Sequence, residues 1–82
     1  KENKSTNKNN NKFLILHNDD FNHFEFVVQA LIEICGHSAE QAEQCTLIAH
    51  FKGRCEIERG AYDSLIVYHK LLTSRNLTTT IE

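Results

Sequence analysis

Four consecutive apolar residues, Phe13-Leu14-Ile15-Leu16, are followed within two positions by the turn-forming string Asn18-Asp19-Asp20. Side chains along a strand alternate between two faces, so an unbroken apolar run predicts a short strand covered on both. The chain has 82 residues, enough for one domain, and a fold of this size buries roughly 60% of the unfolded surface. A large buried active site is not expected of it.

Helical spacing begins just after the turn. Asn22 with Glu25 three residues on reads as a capping box, and Phe21 with Phe26 as a hydrophobic staple, which starts a helix near His23. Phe24, Val27, Val28, Leu31, Ile34 and Cys35 form its apolar stripe, and Gly36 ends it. A second box, Ser38 with Gln41, opens another helix with Ala39, Ala42, Cys45, Thr46 and Ala49 on one side, stopped at Gly53. Arg54 to Arg59 alternates polar and apolar residues as a half-exposed strand does, and Gly60 breaks it. Tyr62 to Ser74 is a third helix with Asp63 early and Lys70 and Arg75 late, matching the helix dipole. The β-branched run Leu77-Thr78-Thr79-Thr80-Ile81 is a last strand. The expected fold is α+β, in the order β-α-α-β-α-β, a two-layer sandwich of one three-stranded antiparallel sheet on three helices.

Charge is unevenly distributed. Lys1, Lys4, Lys8 and Lys12 against Glu2 give the first 12 residues a net +3, while residues 13–82 hold five basic and ten acidic side chains, a net −5. Residues 1–12 are nearly free of apolar side chains and are expected to be a disordered extension to a domain spanning 13–82. An acidic domain is a poor partner for duplex nucleic acid. With no run of about 18 apolar residues and no signal-type segment, no membrane association is expected, and a monomeric protein of the cytoplasm is. Cys35, Cys45 and Cys55 are odd in number and lack C-x-x-C spacing, which reads as reduced, mostly buried thiols. Cys35, His37, His17 and His23 match no ligand framework, and no Gly-rich phosphate loop exists, so neither metal nor cofactor is predicted. Cys45 and His50 sit about 140° apart around a helix and cannot pair as nucleophile and base.

By itself Asn18-Asp19-Asp20 has two readings. It is either an Asx-type turn feeding a helix or a cluster of acceptors suited to a small cation such as a primary ammonium. His50, near a helix C-terminus, is likewise either a dipole partner or a ligand.

The strings Leu16-His17-Asn18-Asp19-Asp20-Phe21, Phe26-Val27-Val28, Glu40-Gln41-Ala42 and Leu47-Ile48-Ala49-His50-Phe51-Lys52-Gly53 together resemble the ClpS adaptor family, over nearly all of Phe13 to Glu82. The resemblance implies a fold like the C-terminal domain of the ribosomal stalk protein. It also implies an adaptor, not an enzyme, that binds proteins beginning with Leu, Phe, Tyr or Trp. These are delivered to a Clp AAA+ unfoldase and protease through the unfoldase N-terminal domain. It places Asn18, Asp20 and His50 around the substrate α-amino group with Asp19 adding negative field. A side-chain pocket is implied at Leu16, Asn22, Phe24, Val27, Thr46, Ala49 and Leu77, and unfoldase docking at Asp63.

Two positions depart from the family pattern. Phe24 stands where a gating Met is usual, and Thr46 where many members carry a second Met. A rigid ring and a short β-branched residue thus replace two flexible thioethers at the pocket. The competing functional reading is a stalk-like interaction domain that uses another surface and binds no N-terminal residue.

Overall fold

The computed structural model describes residues 11–82. Its elements are β1 (Lys12–His17), α1 (Phe24–Cys35), α2 (Ala39–Lys52), β2 (Arg54–Gly60), α3 (Tyr62–Ser74) and β3 (Thr79–Ile81). The order is the predicted β-α-α-β-α-β, and the antiparallel sheet runs β2-β1-β3. β1 opens at Lys12, opposite Gly60, one residue inside the predicted extension. The rest of that extension, residues 1–10, lies outside the described residues.

The apolar run occupies the central strand. Leu14 and Leu16 join Ile57 of β2 in a core with Val27, Ala30 and Leu31 of α1, Ala42 and Ala49 of α2, and Leu65 and Leu72 of α3. Ile15 points to the opposite face and is also buried, flanked across the ladders by Glu56 and Thr80. The register with β2 slips between Leu14, opposite Glu58, and Ile15, opposite Glu56, so Ile57 is an extra residue in its strand.

The entry into α1 differs from the predicted capping box. His23 is the N-cap, in extended conformation and without a side-chain cap bond. Asn22 is drawn away from capping because its amide nitrogen donates both to Asp19 Oδ2 (3.0 Å) and to the Asn76 carbonyl (2.9 Å). Asp19 does the local organising: its Oδ1 accepts from the backbone N–H of Phe21 (3.0 Å) and of Asn22 (2.9 Å). Phe21 is 93% exposed, so no staple with Phe26 forms.

The other boundaries follow from local chemistry. Ser38 Oγ accepts from Gln41 N–H (3.1 Å) as predicted, and Gly36 and Gly53 end α1 and α2 with φ of 72° and 92°. Along α2 the buried residues Ala42, Thr46 and Ala49 repeat at spacings of four and three, and their small size brings α2 close to α1. At the end of α3, Asn76 takes φ 67°, its N–H reaches Thr73 O (2.8 Å), and Leu77 N–H reaches Leu72 O (3.1 Å). This is a Schellman motif with Asn in the left-handed position, and it moves the start of the last strand from Leu77 to Thr79.

Two outcomes follow for stability. Leu31→Ala empties a fully buried site and lowers the unfolding free energy by about 2–5 kcal/mol in denaturant titration. The Asp19 carboxyl lies below its ordinary 3.8: burial, the largest single influence, pushes it up, but hydrogen bonds from Asn22 and Phe21 together pull it further down. A depressed folded value means that the stabilisation is complete above the unfolded value and disappears as pH falls through the folded one. The stability gap between the wild-type chain and Asp19→Asn therefore narrows as pH drops below 3.8; thermal melts from pH 7 to pH 2 check it, and a constant gap refutes it.

Candidate functional site

A cavity of about 390 Å³ opens where the C-terminal end of β1 meets the start of α1 and the second half of α2. β1 and its turn contribute Leu16, His17, Asn18, Asp19, Asp20, Asn22 and His23; α1 contributes Phe24 and Val27; α2 contributes Thr46, Ala49 and His50. The two halves are joined through the backbone, since Asn18 N–H donates to Gly53 O (3.0 Å) at the C-terminal end of α2. Gly53 N–H in turn donates to Ala49 O (2.8 Å). Thr46, Ala49, His50 and Gly53 fall on one helical face at spacings of three, one and three, so the same turn of helix presents cavity wall and imidazole.

The cavity is apolar inside and polar at the rim. Leu16, Val27, Thr46 and Ala49 are buried, whereas Asn18, Asp20 and His50 are exposed. Thr46 adds no polarity because its hydroxyl donates to Ala42 O (2.7 Å), a bond that returns it to its own helix. Phe24, 40% exposed, stands at the boundary between the two zones.

Hydrogen bonding separates acceptors that hold the fold from acceptors that do not. Both Asp19 oxygens are engaged within the turn. Both partners of the Asn22 amide nitrogen are pure acceptors, which fixes the amide orientation and leaves its carbonyl oxygen without a partner among the described residues. Among those residues the side chains of Asn18, Asp20 and His50 likewise have no hydrogen-bond partner; the His50 ring only meets Phe51 edge-on at 5.0 Å between centroids. The rim therefore holds a carboxylate, two carboxamide oxygens and an imidazole, all able to accept and none engaged.

Ten of the residues singled out in the sequence, Leu16, Asn18, Asp19, Asp20, Asn22, Phe24, Val27, Thr46, Ala49 and His50, line this one cavity. Two do not. Leu77, 3% exposed, belongs to the core and is absent from the cavity lining. Asp63 is exposed in the first turn of α3, on a separate surface. The lining also includes His17 and His23, which flank the acceptor string. His17 Nε2 is bonded to Thr80 Oγ1 (2.8 Å), and only the ladder to β3 reveals that pairing.

No helix of the described residues is long and apolar enough to cross a membrane. Residues 7–80 match the family model of the ATP-dependent Clp protease adaptor protein ClpS. The ATP-dependent Clp protease adapter protein ClpS of Desulforapulum autotrophicum is 46% identical over 41 residues, which cover 50% of this chain and 39% of that protein. The match thus spans about two fifths of that relative's length. Among solved structures, Agrobacterium tumefaciens ClpS2 bound to L-phenylalaninamide is similar with a TM-score of 0.86, covering 89% of this chain and 95% of that one at 23% identity. Since the family model takes in both the acceptor turn and the helix that bears His50, the chain belongs to the ClpS family of Clp protease adaptors.

Proposed function

We propose that the cavity receives the first residue of a protein chain that begins with a bulky hydrophobic side chain, Leu, Phe, Tyr or Trp, and that the protein delivers such chains to a Clp AAA+ unfoldase and its protease. The observation that carries this reading is the set of unengaged acceptors at the rim of an apolar cavity. An α-ammonium group has three donors and no acceptor, and therefore matches a carboxylate, carboxamide oxygens and a neutral imidazole nitrogen. Asn18, Asp20 and His50 are its ligands. Asn22 offers a further oxygen, and Asp19 contributes negative field while it holds the turn. The first side chain enters between Leu16, Phe24, Val27, Thr46 and Ala49, where burial of a Leu or Phe contributes roughly 1.5–3 kcal/mol. The phenylalaninamide bound by the Agrobacterium relative has the same two parts, a free α-amine and a bulky apolar side chain.

Delivery needs a second surface. Asp63, exposed on α3 away from the cavity, is assigned to contact with the unfoldase N-terminal domain, and the Lys/Asn-rich residues 1–12 to the handover.

A peptide beginning with Phe binds more tightly than its N-acetyl form by at least about tenfold, because acetylation removes both charge and donors from bonds of about 1.5–3 kcal/mol each. His50→Ala and Asp20→Ala each weaken the free-amine peptide roughly 10- to 100-fold by the same reasoning. Calorimetric titration measures all of these, and equal affinity for the two peptides would sink amine recognition. Asp63→Lys loses capture of the unfoldase N-terminal domain in a pull-down while peptide affinity stays unchanged; loss of both together refutes the separate surface.

A further inference from the structure

At the far end of α1 the fold gathers soft and titratable side chains that the cavity does not use. Cys35 is the last residue of the helix, and the left-handed Gly36 turns the chain so that His37 points back into the protein, 5% exposed. The His37 N–H reaches back to Leu31 O (3.4 Å), which fixes the backbone on which the ring sits. Ring atom Nε2 lies 2.9 Å from the carbonyl of Ile57, the extra residue of β2, and 3.4 Å from Glu58 Oε2. The other nitrogen, Nδ1, is buried and has no hydrogen-bond partner. One ligand atom from each of Cys35, His37 and Glu58 lies within 4.8 Å of the other two.

We propose that Cys35, His37 and Glu58 bind one borderline-soft divalent cation, of which Zn²⁺ is the type, with water completing the coordination. A neutral ring whose Nε2–H donates to the Ile57 carbonyl carries its lone pair on Nδ1. That is the usual arrangement for a metal-bound imidazole oriented by a backbone carbonyl on its other nitrogen. An unpaired buried nitrogen otherwise costs about 1–3 kcal/mol, and no protein group among the described residues offsets it. Tetrahedral zinc holds ligands at about 2.0–2.3 Å, hence about 3.5 Å from one another; the three ligand atoms lie within 4.8 Å, and the Glu58 carboxylate, now 3.4 Å from Nε2, must swing toward the Nδ1 side of the ring to join them. A thiolate, a carboxylate and a neutral imidazole suit this metal better than Mg²⁺ or Ca²⁺, which take oxygen donors. Burial pushes the Cys35 thiol up to about 12, so without metal it keeps its proton and is a poor nucleophile. Metal binding displaces that proton.

The site is separate from the cavity. Phe24 and Cys35 are the first and last residues of α1, about 16 Å apart along its axis. Its ligands come from α1, the α1–α2 turn and β2, so the ion would tie the first helix to an outer strand of the sheet.

The test uses the chelator-treated protein with Co²⁺ as the spectroscopic probe and Zn²⁺ as competitor. Binding at a 1:1 ratio, with a thiolate-to-cobalt charge-transfer band that Zn²⁺ abolishes, is expected, as is a rise in the unfolding midpoint in excess Zn²⁺. Cys35→Ser and His37→Gln each weaken Zn²⁺ at least tenfold, while affinity for a Phe-initiated peptide is unchanged. Should either variant fail to fold, the wild-type spectrum decides. No charge-transfer band and no midpoint shift at saturating metal overturn the proposal. Wild-type affinity retained in Cys35→Ser also overturns it, because the ion would then sit on exposed histidines such as His17, His23 or His50.

Discussion

Everything in this small fold depends on β1 being hydrogen-bonded along both edges. Pairing with β2 on one side and β3 on the other makes it the central strand among the described residues, and it carries Leu14 and Leu16 into the centre of the core. The same ladders fix where the strand ends. His17 N–H bonds to Thr78 O (2.9 Å), and Asn18 N–H, the next donor, crosses to Gly53 O at the end of α2. A chain leaving the sheet at this point has little freedom left, so the acceptor-rich turn is set against the α2 face that bears His50. The geometry of the rim is thus a consequence of sheet pairing and one inter-element hydrogen bond, with no contribution required from the rim side chains themselves.

That independence explains the division among the carboxylates and amides. A turn made of three strong acceptors would normally consume them in local hydrogen bonds. Here Asp19 alone accepts from the backbone of the turn, and the Asn22 amide nitrogen links it to the left-handed Asn76 at the end of α3. Those bonds leave Asn18 and Asp20 solvated and unengaged. An exposed carboxylate in water gains little from a distant charge, but several acceptors converging on a desolvated ammonium act together at short range. The arrangement suits recognition of a cationic group.

Much of this was legible in the residues. The continuous apolar run marked the central strand, Ser38 and Gly53 bounded α2 to the residue, and the spacing of Thr46, Ala49 and His50 put cavity wall and imidazole on one face. What the sequence hid was non-local. Asn22 has the look of a helix cap, and only the approach of Asn76, 54 positions later, redirects it. Leu77 reads as the first residue of a β-branched strand because a left-handed Asn is a weaker stop signal than Gly. It belongs instead to the core. The gathering of Cys35, His37 and Glu58 was equally invisible, because its third member comes from β2 and is brought round by the Ile57 bulge.

The two halves of the cavity are constrained unequally by the fold. Asn18 belongs to a segment held by backbone hydrogen bonds at both ends, so its position survives changes in neighbouring side chains. Phe24 and Thr46, by contrast, stand on helices whose backbones do not depend on what they carry at those positions. A ring at Phe24 has two torsions and cannot reshape itself around different guests as a thioether does. Thr46, with its hydroxyl bonded to Ala42 O, offers a small and fixed surface beneath it. On the proposed function, selectivity among bulky first residues would be set at this partly exposed ring, while the demand for an unmodified amine would be set by the turn.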